Sequence, residues 1–118
     1  MPSKYDIHFF KPSNGREPVQ DYITQLMKSK NPNDRALADE ILTYLTLLAD
    51  KGTTLGMPYS KHLRDALWEL RPKNNRIIYC CIKGNSIFLL HYFKKQSQKT
   101  PLKELKIALK RYKELTSK

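Results

Sequence analysis

Arg71 closes the run Trp68-Glu69-Leu70-Arg71 and Arg76 opens the run that continues to Ile82, with Pro72-Lys73-Asn74-Asn75 between them. Read as strand, turn and strand, this spacing places the two guanidiniums near one another. A guanidinium is planar, stays charged at any working pH and donates two parallel hydrogen bonds to a phosphate. Farther along, alternation puts Leu89, His91, Phe93 and Lys95 on one strand face and Leu90, Tyr92 and Lys94 on the other. His91 has the side chain best matched to proton transfer near neutral pH, and Lys94 or Lys95 is placed to neutralise developing charge. This set suits RNA cleavage without a metal, in which the 2′-hydroxyl is the nucleophile. The protein must then align that hydroxyl, accept its proton, stabilise the phosphorane and assist the leaving oxygen. DNA lacks the hydroxyl and is not cleaved by this route.

Other chemistries lack their residues. The carboxylates of the second half, Asp65, Glu69, Glu104 and Glu114, are well separated in sequence, which argues against a glycosidase pair or a magnesium-dependent nuclease. There is no glycine-rich phosphate loop. Cys80 and Cys81 are neighbours, so on a strand they point to opposite faces and are badly placed to bridge each other. Two cysteines and three scattered histidines do not supply a zinc site. No metal or other cofactor is expected. Taken singly, each candidate has a plainer reading. A histidine on a strand is more often structural, a lone arginine or lysine is a solvated charge, and Trp68, Tyr79 and Tyr92 read as packing residues before base-stacking platforms. The joint pattern is what points to phosphate chemistry.

The elements that must position these residues follow from periodicity. Tyr5 to Phe10 alternates as a first strand, and Ser13-Asn14-Gly15 marks a turn. Pro18 suits the first turn of a helix whose stripe is Val19, Tyr22, Ile23, Leu26 and Met27. Asn31-Pro32-Asn33-Asp34 breaks that helix and caps a second, with Leu37, Ile41, Tyr44, Leu45 and Leu48 on one side and a stop before Gly52. After a loop from Gly52 to Pro58 come three strands, around Trp68–Arg71, Arg76–Ile82 and Ile87–Phe93, the last two joined by a tight hairpin turn at Lys83-Gly84-Asn85-Ser86. Thr100 reads as N-cap and Pro101 as first residue of a final helix, with Leu102, Leu105, Ala108, Leu109, Tyr112 and Leu115 buried and Lys103, Lys106, Lys110 and Lys113 largely opposite. The expected fold is one α+β domain over 1–118: N-terminal strand, helical hairpin, three-stranded antiparallel meander and C-terminal helix. If the helices cover one sheet face, the other is left free.

Charge sharpens the choice of partner. The chain of 118 residues carries 22 Lys plus Arg against 11 Asp plus Glu, a formal net charge of +11. Residues 1–60 are balanced, so the whole excess belongs to residues 61–118, and that half is expected to face an anion. The N-terminus has no apolar core ahead of a small-residue cleavage site, and no apolar run approaches the roughly 20 residues of a membrane span. A soluble, cytoplasmic protein without membrane partners is expected.

The segments Trp68-Glu69-Leu70-Arg71, Arg76-Ile77-Ile78-Tyr79, Leu89-Leu90-His91-Tyr92-Phe93-Lys94-Lys95 and Gln98-Lys99-Thr100-Pro101, followed by Ala108 and Arg111, run in an order that resembles the RelE/ParE toxin superfamily, in its HigB-like, phage-derived host-killing branch. The resemblance covers nearly the whole chain, with residues 68–101 its specific part. It implies a compact α+β fold similar to small microbial ribonucleases, and a type II toxin that cleaves mRNA without metal, usually in the ribosomal A site. It also implies a cognate HigA-like helix-turn-helix antitoxin that binds the toxin in a hetero-oligomer and, as that complex, represses the operon through operator DNA. By position, Arg71 and Arg76 match the family's strand-end and strand-start arginines, and Lys95 matches a basic residue at the exit of the last strand. His91 falls where HigB-like members carry polar active-site residues. RelE-type members have lysines where this chain has Leu67 and Glu69, and a tyrosine near Pro101, so Lys61, His62 and Arg64 are candidates to substitute. The catalytic candidates are thus Arg71, Arg76, His91 and Lys95, and the RNA contacts Lys61, His62, Arg64, Lys73, Lys94 and Lys99. The alternatives are a ParE-like gyrase poison on the same fold and a non-catalytic basic ribosome- or RNA-binding module.

Overall fold

The computed structural model describes residues 4–13, 15–97 and 99–117. Asn14 of the expected first turn and Gln98 of the motif before the last helix lie outside the described residues, as does the terminal segment 1–3. The elements are β1 (Asp6–Phe9), α1 (Pro18–Lys28), α2 (Pro32–Lys51), a short 3-10 turn (Gly52–Thr54), β2 (Ser60–Arg64), β3 (Leu67–Leu70), β4 (Asn75–Ile82), β5 (Ser86–Lys94) and α3 (Leu102–Thr116). They build one five-stranded sheet in the order β1-β5-β4-β3-β2, with β1 parallel to β5 and the other pairs antiparallel.

Local chemistry sets the helix ends. Pro18 and Pro32 occupy first turns, where a missing N–H costs no hydrogen bond. The Asn31 side chain accepts the Asn33 N–H at 2.8 Å, capping α2. That helix stops at Gly52, whose φ is +57° and where a Cβ would collide with the Tyr5 ring. Glycine there both ends α2 and lets the chain entering β1 pack against it.

Two expectations about the sheet are corrected. The meander has four strands, because Ser60–Arg64 pairs antiparallel with β3. This edge strand carries Lys61, His62 and Arg64 on exposed positions, so no apolar alternation marks it in the sequence. Nor is a sheet face left free. The α1–α2 hairpin packs over Leu70, Ile77, Tyr79, Ile87 and Leu89, while α3 lays Leu105, Ala108, Leu109 and Tyr112 over Leu67, Ile78, Cys80, Leu90 and Phe93. The unbroken burial of β4 from Asn75 to Cys80 reflects this double cover. Cys80 and Cys81 fall in opposite layers as alternation requires, both with free thiols.

Smaller corrections concern the helical stripes. Met27 and Leu102 are 54% and 60% exposed rather than buried. The last helix begins at Leu102 with Pro101 as N-cap, and Thr100 does not cap it; the Thr100 hydroxyl donates instead to Glu69 Oε1 at 2.9 Å. The β4–β5 connection is a three-residue loop at 83–85, with positive φ at Lys83 and Gly84. Among the described residues no helix is long and apolar enough to cross a membrane.

Candidate active site

Strand register decides which candidate side chains share a face. On the α3 side, cross-strand partners line up as Lys61 on β2, Glu69 on β3, Ile78 on β4 and His91 on β5. The next row toward the strand ends holds Arg71, just beyond β3, then Arg76 and its partner Phe93. With strands about 4.8 Å apart, the backbones of Glu69 and His91 stand roughly 10 Å from each other.

Strict alternation fails on β5. Ile78 pairs with His91 but Tyr79 pairs with Leu89, so Leu90 is an extra, bulged residue. Leu89 therefore faces the helical hairpin, while Leu90, His91 and Phe93 face α3. The expected grouping of Leu89 with His91, and of Leu90 with Tyr92, is overturned because one inserted residue resets the two-residue period.

Arg71 and Arg76 do meet, but around an internal carboxylate. Arg71 Nη1 donates to Glu69 Oε2 at 2.7 Å, and Arg76 Nε lies 3.8 Å from the same oxygen. Thr100 occupies the other oxygen, so three side chains converge on Glu69. The Glu69 and Arg76 side chains are 4% and 7% exposed, against 18% for Arg71. Arg76 Nη1 also donates to the carbonyls of Lys73 at 3.0 Å and Asn75 at 2.7 Å, which braces the turn at 72–75. Burial, and then the neighbouring Arg71, lower the Arg76 pKa, and Glu69 opposes them. Arg71 is the guanidinium with an open side.

His91 is held at both ring nitrogens. Nε2 is 2.7 Å from Glu104 Oε1, and Nδ1 is 3.4 Å from Arg111 Nη1, which itself donates to the Leu90 carbonyl at 2.7 Å. The consistent assignment is a neutral ring with its proton on Nε2, facing the carboxylate. Burial lowers the His91 pKa; the Glu104 hydrogen bond works against it, and Arg111 works with it. The imidazole is thus in the basic form at neutral pH, but it must release a partner to accept a proton.

The remaining cations divide. Lys94 pairs across the sheet with Asn75, the Lys95 N–H donates to the Asn74 carbonyl at 2.7 Å, and Lys73 is exposed with Nζ 3.9 Å from Glu40. Arg71, Lys73, Arg76, Lys94 and Lys95 therefore gather around the 72–75 turn. Lys61 is exposed in register with Glu69, and Lys99 is exposed one residue before Thr100. His62 points to the opposite face, packing on Trp68 at 4.7 Å with Nε2 2.8 Å from the Asp65 carbonyl. Arg64 sits at the far end of β2, paired with Asp65 at 3.3 Å. These two are not brought to the cluster.

Glu69, Glu104 and Arg111 are the residues a sequence reading undervalues. Glu104 and Arg111 are seven apart, hence on one helix face, but nothing local says which strand that face meets. Among the described residues no three His, Cys, Asp or Glu side chains lie together to hold a metal ion. A family model described as Phage derived protein Gp49-like (DUF891) matches residues 31–113, from the start of α2 into the last turns of α3. No curated protein matches the chain.

Proposed function

The chain belongs to the Gp49-like family of phage-derived proteins, a RelE/ParE-like toxin family, and from that premise we propose that it is a HigB-like type II toxin acting as a metal-independent endoribonuclease on ribosome-bound mRNA. The observation that carries this reading is the gathering of Arg71, Lys73, Arg76, Lys94 and Lys95 around one turn at the sheet end. An RNA backbone crossing that turn meets Arg71 on its open side, with Lys95 and Lys61 flanking it. Arg76 holds the turn and adds its charge from beneath. His91 gives up the long Arg111 contact and takes the 2′-hydroxyl proton at Nδ1, and Glu104 stabilises the imidazolium that results. The 2′-oxygen attacks the adjacent phosphorus, the bond from phosphorus to the 5′-oxygen breaks, that oxygen takes a proton from solvent water, and a 2′,3′-cyclic phosphate remains. The guanidiniums oppose the charge that builds on the phosphorane. The family implies an antitoxin; a HigA-like helix-turn-helix partner would cover the cationic sheet end with an acidic segment.

The test is induction of wild type, Arg71→Gln and His91→Asn without antitoxin, followed by mapping of transcript 5′ ends and of DNA supercoiling. Wild type should create new ends within coding regions, and Arg71→Gln should reduce them by about 100-fold or more. Growth arrest with intact transcripts and altered supercoiling would transfer the reading to a gyrase poison. Normal growth would leave a passive binding module.

A further inference from the structure

On the side of the 72–75 turn away from the Arg71–Glu69–Arg76 cluster, a cleft of about 560 Å³ opens where α1, the start of α2, the turn and the end of β5 meet. Its wall is a pair of tyrosines, Tyr22 and Tyr92, stacked with centroids 3.9 Å apart and ring planes within 6°. Tyr22 is fixed further by its hydroxyl, which donates to Oδ1 of the buried Asn75 at 2.6 Å. Exposed Asn33 and Asn74 line the same space, together with the exposed lysines Lys73 and Lys94. Asp34, which accepts the Ser29 hydroxyl at 2.7 Å, is the acidic lining residue. The transesterification chemistry uses none of the tyrosines, asparagines or Asp34.

We propose that this cleft is a nucleobase subsite, and that it sets which unpaired base stands next to the bond that is cut; the proposal rests on the ribonuclease reading above. The volume lies within the range of small-ligand pockets. The tyrosine wall offers a π-face of the kind unpaired bases stack on. Two carboxamides and a carboxylate supply both donors and acceptors for a base edge. Charge sets the orientation: the lysines attract the flanking phosphates, while Asp34 repels them from the interior and favours a base amine there. Connectivity then links the two sites. Asn75 and Arg76 are consecutive on β4 and point to opposite faces, so one turn carries both the wall of the cleft and the cations for the scissile phosphate. A strand of RNA crossing the turn places neighbouring nucleotides on its two sides.

The experiment measures affinity for four short unpaired RNAs of uniform base, 2′-O-methylated to block cleavage, by fluorescence anisotropy. It compares wild type with the double variant Asn33→Ala/Asn74→Ala and with Lys94→Gln. Wild type should prefer one base by about tenfold, the worth of one well-made hydrogen bond to a base edge. The double variant should shrink that spread to about threefold or less. Lys94→Gln, on an exposed side chain, should weaken all four RNAs alike and reduce the log–log salt slope by about 0.7; it serves as the test if the double variant does not fold. Equal wild-type affinities, a spread that survives the double variant, or an unchanged salt slope would overturn the proposal. A base preference without new transcript 5′ ends on induction would sink the ribonuclease reading and leave the subsite. New transcript 5′ ends without a base preference would do the reverse.

Discussion

Glu69→Ala should cost stability out of proportion to the size of the side chain, because two hydrogen-bond donors and a buried cation converge on this one buried carboxylate. Removing it leaves Arg76 buried with only two backbone carbonyls and leaves Arg71 without its 2.7 Å partner. Breaking a buried ion pair by deleting one member costs about 3–5 kcal/mol, a large share of the roughly 5–15 kcal/mol that a domain has in total. Glu69→Gln keeps a carbonyl acceptor for Arg71 and turns its amide NH2 toward the Thr100 hydroxyl, which can accept from it, so it should lose about 1.5–3 kcal/mol. Urea unfolding followed by the fluorescence of Trp68, the single tryptophan, reads the difference. Taking about 4 kcal/mol and a slope of about 2 kcal/mol/M, the midpoint for Glu69→Ala falls by about 2 M. The geometry also ranks the partners: a double-mutant cycle with Arg71→Ala should show stronger coupling than one with Arg76→Ala, because the distances are 2.7 Å and 3.8 Å. A loss below about 1 kcal/mol for Glu69→Ala, or simple additivity with Arg71→Ala, would refute the account of Glu69 as the anchor of the site.

Three further outcomes follow from other parts of the structure. The lowered pKa of His91 means that the native state binds fewer protons than the unfolded chain just below the ordinary value of 6.5, so stability should fall as pH drops through that region. Thermal midpoints of wild type and His91→Asn between about pH 5 and 7.5 should converge toward acid, and parallel curves would disprove the linkage. Tyr79, buried and pushed up to about 12, shares a 2.5 Å hydrogen bond with buried Ser60; Tyr79→Phe should cost about 1–2 kcal/mol by denaturant titration, and Tyr79→Phe/Ser60→Ala less than the sum of its parts. Burial pushes the Cys80 thiol up to about 12, so at about pH 8 mass-resolved alkylation of the native protein should reach the partly exposed Cys81 first.

The sequence reading succeeded where the information is local. Pro18, Asn31 and Gly52 announce helix ends through their own backbone and capping chemistry, and the structure puts the ends there. The strand–turn–strand around residues 72–75 likewise brings Arg71 and Arg76 together, since a short antiparallel connection allows little else. The reading failed where a neighbour distant in sequence decides. β2 exists because β3 pairs with it, although its own residues look like a charged loop. Leu90 bulges, and so moves Leu89 to the opposite layer.

The residue types and the one-sided charge were enough to propose the chemistry of a partner, because a guanidinium's fork and a lysine's charge belong to the side chain wherever it is placed. How those groups are held was a matter of tertiary structure. Glu69 is far from Thr100, and His91 from Glu104 and Arg111, along the chain, but α3 and the segment leading into it fold across the sheet and bring them within hydrogen-bonding distance. That closure turns two apparently open arginines into one buried anchor, Arg76, and one available contact, Arg71. The reason is desolvation: a buried charge must find a partner, and only the folded chain determines which charges are buried.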